Sequence, residues 1–310
     1  MRILVTGGAG YLGSIIVPEL LARGHAVTVI DNFRYAQSSL LDYCHNPKLA
    51  IIRGDAGERE LIKKRLFGAD VIIPLAALVG APLCKKEPDE SRRVNVDAVR
   101  LAVELARPEQ KIIFPTTNSG YGIGEAGVYC TEETPLRPIS LYGRQKVEAE
   151  RMILDRGHAI TLRLATVFGI SPRMRLDLLV NDFVYRALRD RFLVLFEADF
   201  KRNYIHIRDV ARAFIHCLDN FERMKGQAYN VGLSDANLSK RELCVEIQKQ
   251  VPDFYFTKAA VGEDPDKRDY IVSNAKIEAT GFTPEVSLAK GITELLKGYQ
   301  VIRENRYSNV

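Results

Sequence analysis

Over the first two thirds of the chain, short apolar runs alternate with longer stretches in which apolar residues recur at helical spacing. Arg2–Thr6, Ala26–Ile30, Ala50–Ile52, Val71–Ile73, Lys111–Pro115 and Ala159–Leu164 are rich in β-branched residues and read as strands. Leu12–Arg23, Glu58–Leu66, Asp89–Ala106 and Ser140–Asp155 carry the helical period. Strands that are apolar throughout, each followed by a helix, predict a parallel sheet covered on both faces with right-handed crossovers, a doubly wound α/β fold. Past Ala165 the rhythm changes. The polar stretch SPRMR is followed by a helix over Leu176–Arg189, strands at Phe192–Phe196 and Asn203–Ile207, and a helix over Arg208–Phe221. A strand at Ala228–Val231, a helix from Ser239, a strand at Phe254–Phe256 and a helix around Leu288–Ile302 complete the pattern. The expected division is a sheet domain over 1–165 and a smaller α+β lobe over 166–310, with 203–222 packing back on the first.

Composition narrows the class. The 310 residues include 44 Lys and Arg against 39 Asp and Glu, a formal charge of +5. This mild, dispersed excess calls for no nucleic acid. The run Val71–Leu83 is too short for the ~20 residues of a membrane span. The opening MRILVTGGAG lacks the h-region and cleavage site of a secretory leader, so a cytoplasmic enzyme is expected. Five scattered cysteines without a CxxC, and five histidines without HExxH spacing, give no metal site.

The chemistry concentrates in two places. The first strand runs into Gly7, Gly10 and Gly13, the spacing GxxGxxG, with Tyr11 and Leu12 between them. Glycines there let the backbone approach a pyrophosphate at a helix N-terminus. A lone triplet is weak, but Asp31 and Asn32 close the second strand, where a carboxylate can bridge ribose hydroxyls and repel a 2′-phosphate. That favours NAD over NADP. Asp55 and Ala56 after the third strand could meet adenine, and Leu75, Ala76 and Ala77 after the fourth offer small residues beside a cofactor. The second place is Tyr142 and Lys146, a YxxxK pair on one helix face. A lysine ammonium lowers a phenol's pKa and makes it a usable base. Thr117, at the end of the fifth strand, can hydrogen-bond the reacting oxygen, with Thr116 and Ser119 as competitors.

These pieces, with VNVDA, PTTNSGYG, LRLATVFG and RNYIHIRDVARAF in order over about 1–218, resemble the extended short-chain dehydrogenase/reductases of the NAD-dependent epimerase/dehydratase family. The resemblance implies a Rossmann-type parallel sheet, NAD as cofactor and a nucleotide-sugar substrate held by the C-terminal lobe. It assigns Thr117, Tyr142 and Lys146 to catalysis, and makes Tyr142 and Lys146 cofactor contacts as well. Asn95 becomes a structural asparagine. Asn118, Ser119, Thr166, Arg175, Asn181, Arg202 and Arg268 fall on the substrate side, Arg202 with the diphosphate and Arg268 as its possible helper. It also implies a homodimer through a four-helix bundle, for which Val94, Ala98, Leu101 and Leu105 offer an apolar stripe unless that stripe faces the sheet. Sugar dehydratases of this family carry Asp-Glu where this chain has Asn118-Ser119. Asn118 cannot supply a proton, so loss of water is not expected. A finer likeness, carried by PTTNSGYGIG, the stretch after LRLATVFG and GEDPDKRDY, is to bacterial GDP-heptose 4-dehydrogenases of surface-polysaccharide synthesis. The rivals are a nucleotide-sugar 4-epimerase and an NAD-sensing regulator without catalysis.

Overall fold

The computed structural model describes residues 1–260 and 268–302. Its centre is a parallel sheet. β1 (Arg2–Thr6), β2 (Ala26–Asp31), β3 (Leu49–Arg53), β4 (Val71–Pro74) and β5 (Lys111–Thr117) are joined by the strands Ala159–Leu164 and Gln227–Val231. The order across the sheet is Gln227–Val231, Ala159–Leu164, β5, β4, β1, β2, β3. Alternate residues of each strand serve opposite helix layers. Ile3, Val5, Val29, Ile73 and Ile160 pack under the helices Gly13–Ala22 and Ile207–Asp219. Leu4, Ile30, Ile72, Ile112 and Phe114 pack under Arg59–Leu66, Ala98–Leu105 and Leu141–Asp155. Burial on both faces is why these strands read as unbroken apolar runs.

The seventh strand lies beyond residue 165: Gln227–Val231 pairs in parallel with Ala159–Leu164. The smaller lobe is therefore built from what lies before and after it. Thr166–Phe168 pairs with Lys201–His206, which pairs antiparallel with Asn237–Ser239. Phe192–Leu195 pairs with Tyr255–Lys258. The helix Lys240–Gln248 opens on a full capping box, Ser239 with Glu242, the strongest local start signal in this half.

Two expectations are corrected. The single helix expected over Asp89–Ala106 is interrupted: α-helical Pro88–Arg92 passes through a wide π turn at Arg93–Asp97 before Ala98–Leu105. The turn aims Asn95 at the backbone of Leu78, accepting from its N–H at 2.8 Å and donating to its carbonyl at 2.9 Å. Val94, Ala98 and Leu101 are buried within the chain, and Leu105 packs on the same cluster as Leu101. The apolar stripe thus faces inward, against the chain's own core. The outer side of these helices carries charge, with Glu148 bridging Arg92 and Arg100.

The helix Leu141–Asp155 is fixed to the sheet by a buried ion pair. Arg163 donates from Nε and Nη2 to Glu150 at 3.0 and 2.7 Å, and from Nη1 to the hydroxyl of Tyr121 and the carbonyl of Glu132. Both partners are almost fully enclosed. Breaking such a pair from one side strands a charge. Arg163→Met should lose about 3–5 kcal/mol in urea denaturation. Glu150→Gln combined with Arg163→Met should recover most of that loss; an undiminished loss would assign the stability elsewhere.

Candidate active site

One cleft of about 480 Å³ runs along the carboxyl ends of the strands. Strands of a doubly wound sheet end there, which is where such folds place ligands. At one end lies the glycine loop. Gly7 has φ +69°, and a Cβ on it would fall 2.6 Å from the backbone nitrogen of Ala76. A Cβ on Gly13 would fall 2.5 Å from the carbonyl oxygen of Gly8. No side chain caps the helix Gly13–Ala22 at Leu12; the N–H groups of Ser14, Ile15 and Ile16 donate to the backbone carbonyls of Gly10 and Leu12, so what the helix end offers an anion is the positive end of its dipole. Tyr11, Leu12, Leu75, Ala76 and Ala77 line the same wall. The loop, the uncapped helix end and the acid of β2 together fit a dinucleotide.

Asp31 is buried and accepts from the backbone N–H of Ala9 at 3.0 Å and of Phe33 at 2.8 Å, and from Gln37 Nε2 at 3.1 Å. Burial pushes its pKa up, and these donors pull it back. Asn32 is on the wall, its side-chain oxygen turned to the backbone N–H of Arg34. Asp55 and Ala56 also line the cleft. Both Asp55 oxygens are taken by Arg93, at 2.7 and 3.0 Å, which holds this carboxyl below its ordinary range. An adenine amino group there must share an occupied carboxylate.

In the middle stand Thr117, Tyr142 and Lys146. Ser140 caps the helix that carries the last two, accepting from Gly143 N–H at 3.1 Å. Thr117 closes β5 and donates to Ser119 Oγ at 2.9 Å, while the Ser119 N–H donates to Thr117 Oγ1 at 3.1 Å. Thr116 Oγ1 is buried without a partner among the described residues. Lys146 is buried, its Nζ 3.9 Å from the centre of the Phe114 ring. Burial draws its pKa down to about 7. Burial pushes the Tyr142 phenol up to about 12, Cys84 adds to this, and Arg175 and Arg268 draw it back. The cations that act on the phenol are these two arginines, which the YxxxK spacing gave no means to foresee; Lys146, the expected one, is not among them.

The far end is basic. Thr166, Arg175, Arg202 and Arg268 line it, with Asp177 beside Arg175 in a close ion pair. Arg268 is not where a diphosphate helper was expected. Its Nη1 contacts Ser119 Oγ, which puts the guanidinium close to Thr117, where the basic end meets the middle of the cleft. Arg202 donates to the carbonyl of Arg268 at 2.8 Å and so supports that segment. Glu263 and Asp264, near which the family resemblance would put a second arginine for the diphosphate, lie outside the described residues. Two expected substrate residues are off the wall. Asn118 is fully buried with both amide atoms unpartnered among the described residues. Asn181 is enclosed too, donating to Tyr11 Oη and to the carbonyl of Arg175 and accepting from Gly169 N–H. It is a brace beneath the site. Sequence reasoning missed Tyr35, Gln37 and Arg173, all on the cleft wall. A signal for them exists: NFRYAQ follows Asp31 directly, while SPRMR reads by composition only as a polar loop.

Lys146 generates a test of sign. Its pKa falls from an ordinary 10.5 to about 7 in the fold. Between those values the unfolded chain binds the extra proton, so stability rises with pH across that window and the full cost is present below it. Lys146→Met should therefore stabilise the protein at pH 6 by roughly 1–3 kcal/mol, and the gain should vanish toward pH 10. A pH-independent change in Tm would show that the ammonium is not under strain.

The chain is 28% identical over 315 residues to UDP-glucuronic acid decarboxylase 1 of Arabidopsis thaliana, covering 97% of this chain and 70% of that one. It is 27% identical to a UDP-glucose 4-epimerase of Corynebacterium glutamicum, with 95% and 94% covered. Among solved structures, the UDP-glucose 4-epimerase of Thermus thermophilus in complex with NAD aligns at a TM-score of 0.82, with 26% identity, 97% of this chain and 99% of that chain. None of these names a GDP-heptose. No helix among the described residues is long and apolar enough to cross a membrane. The pattern of the NAD dependent epimerase/dehydratase family matches residues 3–232, and the chain belongs to that family.

Proposed function

We propose that the chain oxidises C4 of a nucleotide-activated sugar with NAD. One observation carries this reading: a single cleft joins the glycine loop and Asp31 at one end, Thr117, Tyr142 and Lys146 in the middle, and Arg175, Arg202 and Arg268 at the other. When bound, NAD supplies the hydride acceptor. Tyr142 takes the proton of the C4 hydroxyl, Thr117 hydrogen-bonds the same oxygen, and Lys146 with the nearby arginines favours the phenolate. The basic end takes the sugar nucleotide's diphosphate, with Arg202 in that role. Ser119 and Arg268 flank the sugar. Dehydration at C5–C6 needs an acid where Asn118 and Ser119 stand, and neither delivers a proton there at neutral pH.

A 4-epimerase is supported equally. Relatives of that name match along nearly the whole chain. The trio Thr117, Tyr142 and Lys146 serves both outcomes. The finer reading, a GDP-heptose oxidised for surface-polysaccharide synthesis, rests on the segments PTTNSGYGIG, GISPRMRLDLL and GEDPDKRDY. A regulator that only senses NAD needs the glycine loop alone, and the complete trio speaks against it. The deciding experiment incubates the protein with GDP-, UDP- and dTDP-sugars and resolves products by mass spectrometry in deuterated water. A ketone product supports the dehydrogenase, an inverted C4 the epimerase. No turnover on any of them sinks both.

Two expectations follow for variants. The Asp31 carboxylate should hold NAD over NADP by more than roughly tenfold in Kd, and Asp31→Ala should narrow the gap; equal constants in the parent chain would refute this. Tyr142→Phe should lower kcat by about 10²–10⁴ with NAD affinity intact, and Thr117→Val should lose less, since it removes a hydrogen bond and leaves the base. Near-normal turnover by Tyr142→Phe would mean that another group is the base.

A further inference from the structure

The stretch after the strand Thr166–Phe168 is riveted to the glycine loop. Tyr11 Oη donates to the carbonyl of Gly169 at 2.8 Å. Ser171 Oγ donates to the carbonyl of Tyr11 at 2.9 Å and lies 2.7 Å from Ser14 Oγ. The Arg173 N–H in turn donates to Ser171 Oγ at 3.3 Å. The result is that a residue far along the chain stands over the loop that opens it.

That residue is Arg173. It is buried, with 5% of its surface exposed. Its guanidinium carbon is 4.5 Å from the centre of the Tyr35 ring, and Asp31 is one of the charges that act on it. Tyr35 is on the segment that follows Asp31, held open by positive φ at Phe33 and Ala36. Its hydroxyl is buried with no hydrogen-bond partner among the described residues. Both side chains line the cleft. Arg173 Nη1 donates to the carbonyl of Met174. An arginine drawn from water, stacked on an aromatic face and lining a groove floored by a helix N-terminus is suited to a phosphate. A buried phenol hydroxyl without a partner is costly until a ligand meets it.

We propose that Arg173 and Tyr35 are cofactor ligands: the guanidinium takes the diphosphate of the dinucleotide lying on the glycine loop, and the hydroxyl of Tyr35, stacked beside it, supplies a second polar contact. The glycine loop and helix end then grip the diphosphate from below and Arg173 from above. Because the Ser171 anchor and Arg175 are in the same short segment, the loaded cofactor braces the wall that faces the sugar.

Binding distinguishes this role from a structural one. Nucleotide-free protein is titrated calorimetrically with NAD, ADP and adenosine, with far-UV circular dichroism as the check on folding. Arg173→Ala should raise Kd for NAD and for ADP by roughly tenfold or more, because it removes a charge-assisted hydrogen bond to phosphate, and leave adenosine within about twofold. Arg173→Lys keeps the charge and loses the fork, so it should fall between the two. Tyr35→Phe should weaken NAD by roughly two- to fivefold, the scale of one hydrogen bond. NAD and ADP affinities within twofold of the parent in both Arg173 variants would overturn the assignment. So would an equal loss for NAD, ADP and adenosine, which would mean that the cleft itself had collapsed. If Arg173→Ala fails to fold, Arg173→Lys decides by the same comparison.

Discussion

The buried pair of Arg163 and Glu150 is the constraint on which the site hangs. The reactive helix has to present Tyr142 and Lys146 to the cleft at fixed height above the sheet. Glu150 sits one turn beyond Lys146 on that helix, and Arg163 projects from the neighbouring strand. The guanidinium also reaches Tyr121, whose hydroxyl donates to Asn230 at 2.7 Å. Asn230 is in the seventh strand, and its amide donates to the carbonyl of Ser273 at 3.1 Å. One polar network therefore ties the helix, the end of β5, the last strand of the sheet and the segment that carries Arg268. A network of this kind gives geometry more than net stability, because desolvation offsets much of the Coulombic gain. It also engages Glu150, so that its charge is not directed solely at Lys146.

The cleft is unusual in where it keeps charge. Arg173, Arg175, Arg202 and Lys146 are all buried, against Asp31 and Asp177 on the same walls. Buried cations are tolerated when an anion or a hydrogen-bonded frame compensates them. Asp177 does this for Arg175, and the carbonyl of Arg268 contributes at Arg202. A dinucleotide and a nucleotide sugar together bring two diphosphates. The positive lining matches that demand at both ends, while the middle of the cleft holds hydroxyls, a phenol and a lysine whose pKa burial draws down.

The architecture was legible because its signals were local. β1 to β5 and Ala159–Leu164 announced themselves through β-branched runs, and the glycine spacing with Asp31 located the cofactor end. Helix interruptions were not. The π turn at Arg93–Asp97 exists so that Asn95 can reach Leu78, a tertiary demand that leaves no mark in the 3.6-residue period. The stripe Val94, Ala98, Leu101 and Leu105 had the right spacing for either a partner or the core, and spacing cannot tell these apart. Asn181 and Arg268 take their expected places from a family pattern. Their actual neighbours, Tyr11 below and Ser119 beside the reacting oxygen, depend on side-chain directions that a pattern does not carry. Arg173 was missed for the opposite reason, since a basic residue in a polar loop looks like a solvated one until the fold encloses it.

What separates oxidation that stops at a ketone from oxidation that is reversed on the other face is not in Thr117, Tyr142 or Lys146. Both outcomes remove the same proton and the same hydride. Reversal requires that the ketone turn within the cleft while its diphosphate stays held, so that its opposite face meets the reduced cofactor. The freedom to turn is set by what surrounds the sugar, which the proposed function puts between Ser119 and Arg268 on one side and the segment bearing Arg175 on the other. A guanidinium on Ser119, beside Thr117, narrows that space and offers a fixed donor to a sugar oxygen. A donor that holds one orientation of the ring opposes rotation, whereas a water-filled wall would permit it. The proposed function therefore assigns the choice between the two reactions to the surroundings of the sugar, Arg268 beside Ser119 among them, more than to Thr117, Tyr142 and Lys146.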